Sequence, residues 1–161
     1  MYWYESYLSN IWYSFAHTYS LLFVYFVWQA YFPEVEKRNH VVTRWKGKWR
    51  NKFGHIKKLK DNNTEIVINS LFRDERIPEY VIDITLAHEI VHYMHGFNSP
   101  HEKQFKYPHQ GNIVNRELKK RGLDSYLKME KRFVKEEWPN IVKEFKPSRR
   151  IVYRRSIFRL F

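Results

Sequence analysis

The stretch from Pro78 to Gly96 constrains this chain more than any other part of it. Val81, Ile82, Thr85, Leu86 and Glu89 follow a 3.6-residue period between a proline suited to a helix start and a glycine suited to a helix stop. The spacing predicts a helix over residues 78–95. Inside it, His88-Glu89-Ile90-Val91-His92 reads H-E-x-x-H. Imidazoles four residues apart lie one above the other on a helix face, close enough to share one Zn²⁺ at about 2.0–2.1 Å, and the intervening Glu89 reaches a water on the metal. Ile84, Leu86, Ala87, Ile90 and Val91 surround the motif, so the helix is expected to be largely buried. Two histidines and a glutamate in such a place need a partner to offset their desolvation, and a metal supplies one.

A catalytic zinc keeps three protein ligands and leaves a fourth position for water. His95, His101, His109 and Glu117 are the candidates for the third. His95 is a further turn along the same helix, and one straight helix cannot wrap three ligands around an ion. His101 follows the Gly96 break, where the chain is free to turn back. Reach favours His101, with His109 in a proline-containing loop and Glu117 on the next helix as alternatives. With His88, His92 and His101 on the metal and Glu89 as general base, the expected chemistry is hydrolysis of a peptide bond in a protein or peptide substrate. Tyr93, Tyr107 and His109 are within sequence reach as oxyanion donors.

Around this helix the pattern is α+β. Residues 6–33 carry no charge, and Leu8, Ile11, Trp12, Phe15, Tyr19, Leu22, Phe26 and Ala30 fall on helical spacing, which predicts an aromatic N-terminal helix within residues 1–33 laid along a core. Its dense apolar run, residues 21–28, is well short of the roughly 18 residues that a bilayer span needs, and its polar side chains favour packing over membrane insertion. No basic n-region or small-residue cleavage site marks a signal peptide. Residues 41–45, 53–59 and 64–71 read as strands, the last two joined by a turn at Asp61, Asn62 and Asn63. After a loop over residues 97–111, residues 112–120 and 125–146 read as helices separated by Gly122. The whole, residues 1–161, is expected to form a single domain, with a small, mostly antiparallel sheet. The run from Thr64 to Ser70 is expected at an edge, where an extended substrate pairs.

Charge adds a second theme. The net charge is +12; residues 37–60 hold ten Lys and Arg and no acid, and residues 146–159, within a basic tail at 146–161, hold six and no acid. Such runs favour an anionic partner, either nucleic acid or an anionic membrane surface. A basic binding protein with a structural or vestigial metal site is therefore the competing reading. No cysteine is present, which excludes disulfides, zinc ribbons and thiol nucleophiles and fits a reducing, cytoplasmic setting.

The run Thr85-Leu86-Ala87-His88-Glu89-Ile90-Val91-His92, followed by Gly96 and then by Ser99-Pro100-His101 with Phe105 four residues on, resembles the SprT-like zinc metallopeptidases. The similarity covers roughly residues 30–125. It implies a zincin-like fold, His101 as third ligand in an H-x-x-x-F pattern, and zinc-dependent protein cleavage. The Spartan-type members act on proteins crosslinked to DNA, so the resemblance also implies nucleic-acid-associated substrates. The cysteine-rich zinc ribbon that many members carry is missing here.

Overall fold

The computed structural model describes residues 23–145. The basic run at 146–159 and most of the aromatic N-terminal segment lie outside the described residues. In chain order the elements are helix α1 (described over residues 23–31), strands β1 (Val41–Lys46), β2 (Gly54–Lys58) and β3 (Thr64–Asn69), a 3₁₀ turn (Ser70–Arg73), helix α2 (Glu79–Met94), a second 3₁₀ turn (Gln110–Asn112), and helices α3 (Ile113–Lys120), α4 (Asp124–Glu136) and α5 (Trp138–Glu144). This is the expected α+β order.

The sheet is mixed. Its order is β1-β3-β2, with β2 antiparallel and β1 parallel to β3. The β2–β3 hairpin is the predicted one: Leu59 N–H donates to Asn63 O at 2.8 Å, and Asn62 turns the chain at φ 64°. A tight hairpin fixes β2 on one side of β3 and leaves the other side to β1, which takes it in the same direction as β3. The expectation of a mostly antiparallel sheet is corrected accordingly. So is the expectation that residues 64–70 form an edge, because β3 is the central strand and all six of its residues are buried. Ile56, Ile66 and Ile68 join the main core, while the opposite face carries Arg44, Lys46 and Lys57 around the buried Glu65.

Helix α2 lies against the core face of the sheet, with α1, α3 and α4 packed around it. Pro78 caps this helix, with extended backbone, rather than opening it. Eleven of its residues are buried, among them polar Thr85, Glu89 and His92. Trp28 of α1 meets Tyr93 edge-on at 5.1 Å between ring centroids, and its indole N–H donates to Val35 O at 2.9 Å, fixing the exit from α1. The face that α1 buries differs from the expected one. Val24, Val27 and Trp28 point inward, whereas Phe26 is 63% exposed and Ala30 is also exposed. A helix apolar around its whole girth gives periodicity no polar face to read against. Leu8, Ile11, Trp12, Phe15, Tyr19 and Leu22 lie outside the described residues.

The predicted helix over residues 125–146 is two helices. Pro139 has no N–H to continue the bonding of α4, so α5 starts afresh at Trp138, with the proline in its first turn. The break turns Trp138 inward, where it meets Phe53 and Phe72 at 5.3 and 5.6 Å and donates its indole N–H to Arg50 O at 2.7 Å.

Helix α2 ends in a Schellman motif. Gly96 N–H donates to Tyr93 O at 3.1 Å and Phe97 N–H to His92 O at 2.9 Å, with Gly96 at φ +78°. A Cβ at Gly96 would come within 2.4 Å of Glu102 O, whereas one at Gly122, at φ +79°, would meet nothing within 4 Å. Both sites carry the left-handed backbone cost, and only Gly96 adds a collision with main chain. Gly96→Ala is therefore expected to lower unfolding free energy by roughly 3 kcal/mol and Gly122→Ala by about 1 kcal/mol, read by denaturant titration. Equal losses would contradict the packing argument.

Candidate metal centre

His88 and His92 stand one turn apart on α2, with ring centroids at 4.8 Å. The third imidazole beside them is His109, at 5.2 Å from His88 and 4.8 Å from His92. One ligand nitrogen from each ring lies within 4.8 Å of the other two, a spacing that three ligands around a single ion can adopt. His92 is 5% exposed, His88 half-buried and His109 exposed, so the group is anchored on the helix and closed from the loop.

The chain returns to α2 at His109 for a local reason. Gly111 and Asn112 both adopt left-handed backbone, at φ 58°, and turn the chain into α3, whose first residues Ile113 and Val114 are buried against the core. Asn112 N–H donates to His109 O at 3.2 Å across this turn. A turn-forming Gly-Asn pair directly before an apolar helix start is visible in the sequence and marks the return.

His101, the expected third ligand, is elsewhere. Its Nε2 is 2.9 Å from Glu36 O and its ring meets Tyr93 edge-on at 5.1 Å. The cause lies in the links just after Gly96. Asn98 Nδ2 donates to Ile56 O at 3.2 Å, Thr64 Oγ1 donates to Asn98 O at 3.0 Å, and Ser99 Oγ donates to Tyr93 O at 2.6 Å. These bonds carry residues 98–101 around the Tyr93 side of the helix, and eight further residues are needed to bring the chain back at His109. Phe105, expected to accompany His101, packs against His95 at 4.9 Å. Glu117 is bound to Lys120 and Arg121 at 2.8 and 2.6 Å. Neither His95 nor Glu117 joins the cluster. The Tyr93 hydroxyl accepts from Arg38 N–H at 3.0 Å and donates to Asn39 Oδ1 at 2.9 Å, a tether between α2 and the entry to β1. Tyr107 is 59% exposed.

Glu89 is 5% exposed and sits beside β2. A Cβ at Gly54 would lie 3.1 Å from Glu89 Oε1 and 2.8 Å from Thr85 Cγ2, so the missing side chain is what lets strand and helix approach here. The histidines, Glu89, Lys52, Gly54, Ile56 and Phe97 line an open cleft of about 320 Å³. The Schellman turn brings Phe97 over His92, edge-on at 6.0 Å. Lys52, Gly54 and Phe97 belong to the site and have no motif that announces them.

Burial governs the protonation of these groups. Desolvation, reinforced by the neighbouring imidazoles, pushes His88 down to about 4 and His92 to about 3. Both are therefore neutral at physiological pH, the state in which imidazole binds a metal. Desolvation pushes Glu89 up to about 8, against a smaller opposing pull from Lys52. His92 Nδ1 is buried and makes no hydrogen bond among the described residues. Three converging imidazoles, two of them held neutral by burial and one of these with an unpartnered buried nitrogen, suit a cation of the zinc type.

Compared with models of protein families, with curated proteins and with solved structures, the chain matches none.

Two outcomes follow from this geometry. Elemental analysis of the zinc-loaded protein is expected to find one zinc per chain, weakened roughly 100-fold or more by His109→Ala and unaffected by His101→Ala; the reverse ranking would return the third position to His101. The second concerns pH. In metal-stripped protein, Glu89 has a folded pKa raised from 4.5 to about 8. The stability it contributes is full below 4.5 and disappears as pH rises through 8, whereas the lowered histidines act only below their unfolded value near 6.5. Between pH 6.5 and 9 the stripped protein is expected to lose stability on the order of 2 kcal/mol, and Glu89→Gln to abolish the slope, as read by chemical denaturation. A flat wild-type profile would contradict this.

Proposed function

We propose that this chain is a zinc-dependent peptidase that shares the H-E-x-x-H helix of the SprT-like kind but uses His109 in place of His101, with His88, His92 and His109 as the metal ligands and Glu89 as the general base. The observation that carries the reading is the convergence of three imidazoles beside a buried carboxylate in a cleft walled by a strand edge. Zinc bound by three histidines supplies a Lewis acid for a peptide carbonyl and makes a water acidic near neutral pH.

The protein's own groups account for the rest. Glu89 takes a proton from the attacking water and passes it to the leaving amine. Its buried carboxyl has a high proton affinity, which suits a base, and a cation beside it favours the ionised form needed to start. Phe97 and Ile56 give the cleft apolar walls. Among the described residues β2 pairs only with β3, so its other side is open to an extended substrate. At Ile56 the outward carbonyl is taken by Asn98. Gly54, two residues earlier, faces its backbone groups the same way, and the strand pairing is assigned to that end.

Glu89→Gln separates binding from chemistry. The variant is expected to retain one zinc per chain and to lose hydrolysis of an unfolded protein such as casein by about 10³-fold, measured by release of labelled peptides. Undiminished cleavage by the variant, or wild-type cleavage indifferent to a zinc chelator, would overturn the assignment.

A further inference from the structure

We propose that the cleft selects peptide segments carrying an Asp or Glu side chain beside the scissile bond, and that Lys52 is the residue that sets this preference. The inference rests on the peptidase reading and names its substrate class.

The argument starts from how the cations of residues 37–60 are used. Arg44, Lys46 and Lys57 converge on the Glu65 carboxylate at 3.0, 2.7 and 3.0 Å, on the sheet face turned away from α2. Lys52 belongs to the same run, but it lines the cleft and makes no ion pair among the described residues. Among the described residues Glu89 is the only acid lining that cleft, and it is committed to the reaction. The remaining titratable groups there are imidazoles. A substrate carboxylate entering the cleft therefore meets a cation with no competitor.

Lys52 is also held in place. The buried Asn69, at the end of the central strand, satisfies all its hydrogen-bonding capacity on the chain around the β1–β2 connection. Its Nδ2 donates to Trp49 O at 2.6 Å and to Lys52 O at 3.0 Å, and its Oδ1 accepts from Trp49 N–H at 3.3 Å and Leu71 N–H at 3.1 Å. Trp49 packs edge-on against His55 at 5.4 Å, and the Lys52 ammonium lies over the Trp49 ring at 4.9 Å. Gly47, at φ +72°, makes room for that indole, whose ring atoms would lie within 2.3 Å of a Cβ there. The loop backbone is clamped and the ammonium rests on an aromatic face, so less side-chain freedom is lost when a carboxylate binds. Gly54, the open end of the substrate edge, is two residues away.

The test uses the full-length, zinc-loaded Glu89→Gln protein and fluorescein-labelled twelve-residue peptides of Ala, Leu and Gly, identical except for one central Glu, Gln or Lys. Affinity is expected to follow Glu over Gln over Lys, with about tenfold between Glu and Lys, and the spread is expected to narrow as salt is raised. Adding Lys52→Ala is expected to remove the Glu-over-Gln preference, and Lys52→Glu to favour the Lys peptide, with melting curves unchanged from the parent. An unchanged ranking in Lys52→Ala, or no Glu preference in the parent, overturns the proposal. So does Lys52-dependent binding of a 20-nucleotide oligo-dT without discrimination among the peptides, which would give this wall to nucleic acid. Cleavage kinetics in protein with native Glu89 separate the two levels. If Lys52→Ala lowers kcat for all three peptides equally, Lys52 acts on the reacting carbonyl and the selectivity assignment falls. Equal cleavage of all three by the wild type retains the peptidase and removes the preference, whereas Glu-selective binding without any cleavage retains the preference and removes the peptidase.

Discussion

Everything in this molecule depends on a helix that is buried around most of its circumference. Helix α2 has the sheet on one side and α1, α3 and α4 around the rest, so its apolar residues supply much of the core at the same time as its polar ones are taken out of water. Burial is what makes His88 and His92 neutral and Glu89 reluctant to ionise. The stability of the fold and the chemistry of the cleft are two results of one desolvation. A more exposed helix with the same H-E-x-x-H residues would hold ordinary histidines and an ordinary glutamate.

The sheet distributes charge in a complementary way. Its far face concentrates Arg44, Lys46 and Lys57 on one buried carboxylate. Burial pushes Glu65 up, but the ammonium groups of Lys46 and Lys57 outweigh it and hold the carboxyl below the usual range. A central strand can tolerate an acid there because three cations from both neighbouring strands reach it. A strongly basic segment is thereby divided into cations used for structure and a cation turned to the cleft.

Local features were the legible ones. The α2 helix, the β2–β3 hairpin and the two histidines four residues apart depend on short-range periodicity and turn chemistry, which a sequence displays directly. The third histidine of the cluster depended on how a loop travels around α2. Asn98 and Ser99, anchoring to Ile56 and Tyr93, send His101 to the wrong side of the helix for the cluster, and no local rule in a loop predicts such anchors. The direction of β1 and the central place of β3 were hidden for the same reason, being settled by which neighbour a hairpin leaves free. Pro139 stands openly in the sequence, and a proline within a helical pattern marks a break until something else satisfies the backbone. Whether residues 6–22 continue the α1 pattern lies outside the described residues.

The side of β2 left unpaired among the described residues carries one more consequence. An unpaired strand edge will accept any extended chain, including another copy of itself, and aggregation through edges is the usual penalty. Here the strand is five residues long, ends in Lys57 and Lys58, and has its Ile56 carbonyl already occupied by Asn98. Little more than the Gly54 end is left to pair, and that end lies beneath the cleft. Under the proposed reading, the features that would discourage edge-to-edge pairing of copies are also those that would direct an incoming chain toward the histidines, so self-association and access to the site would be governed by the same few residues.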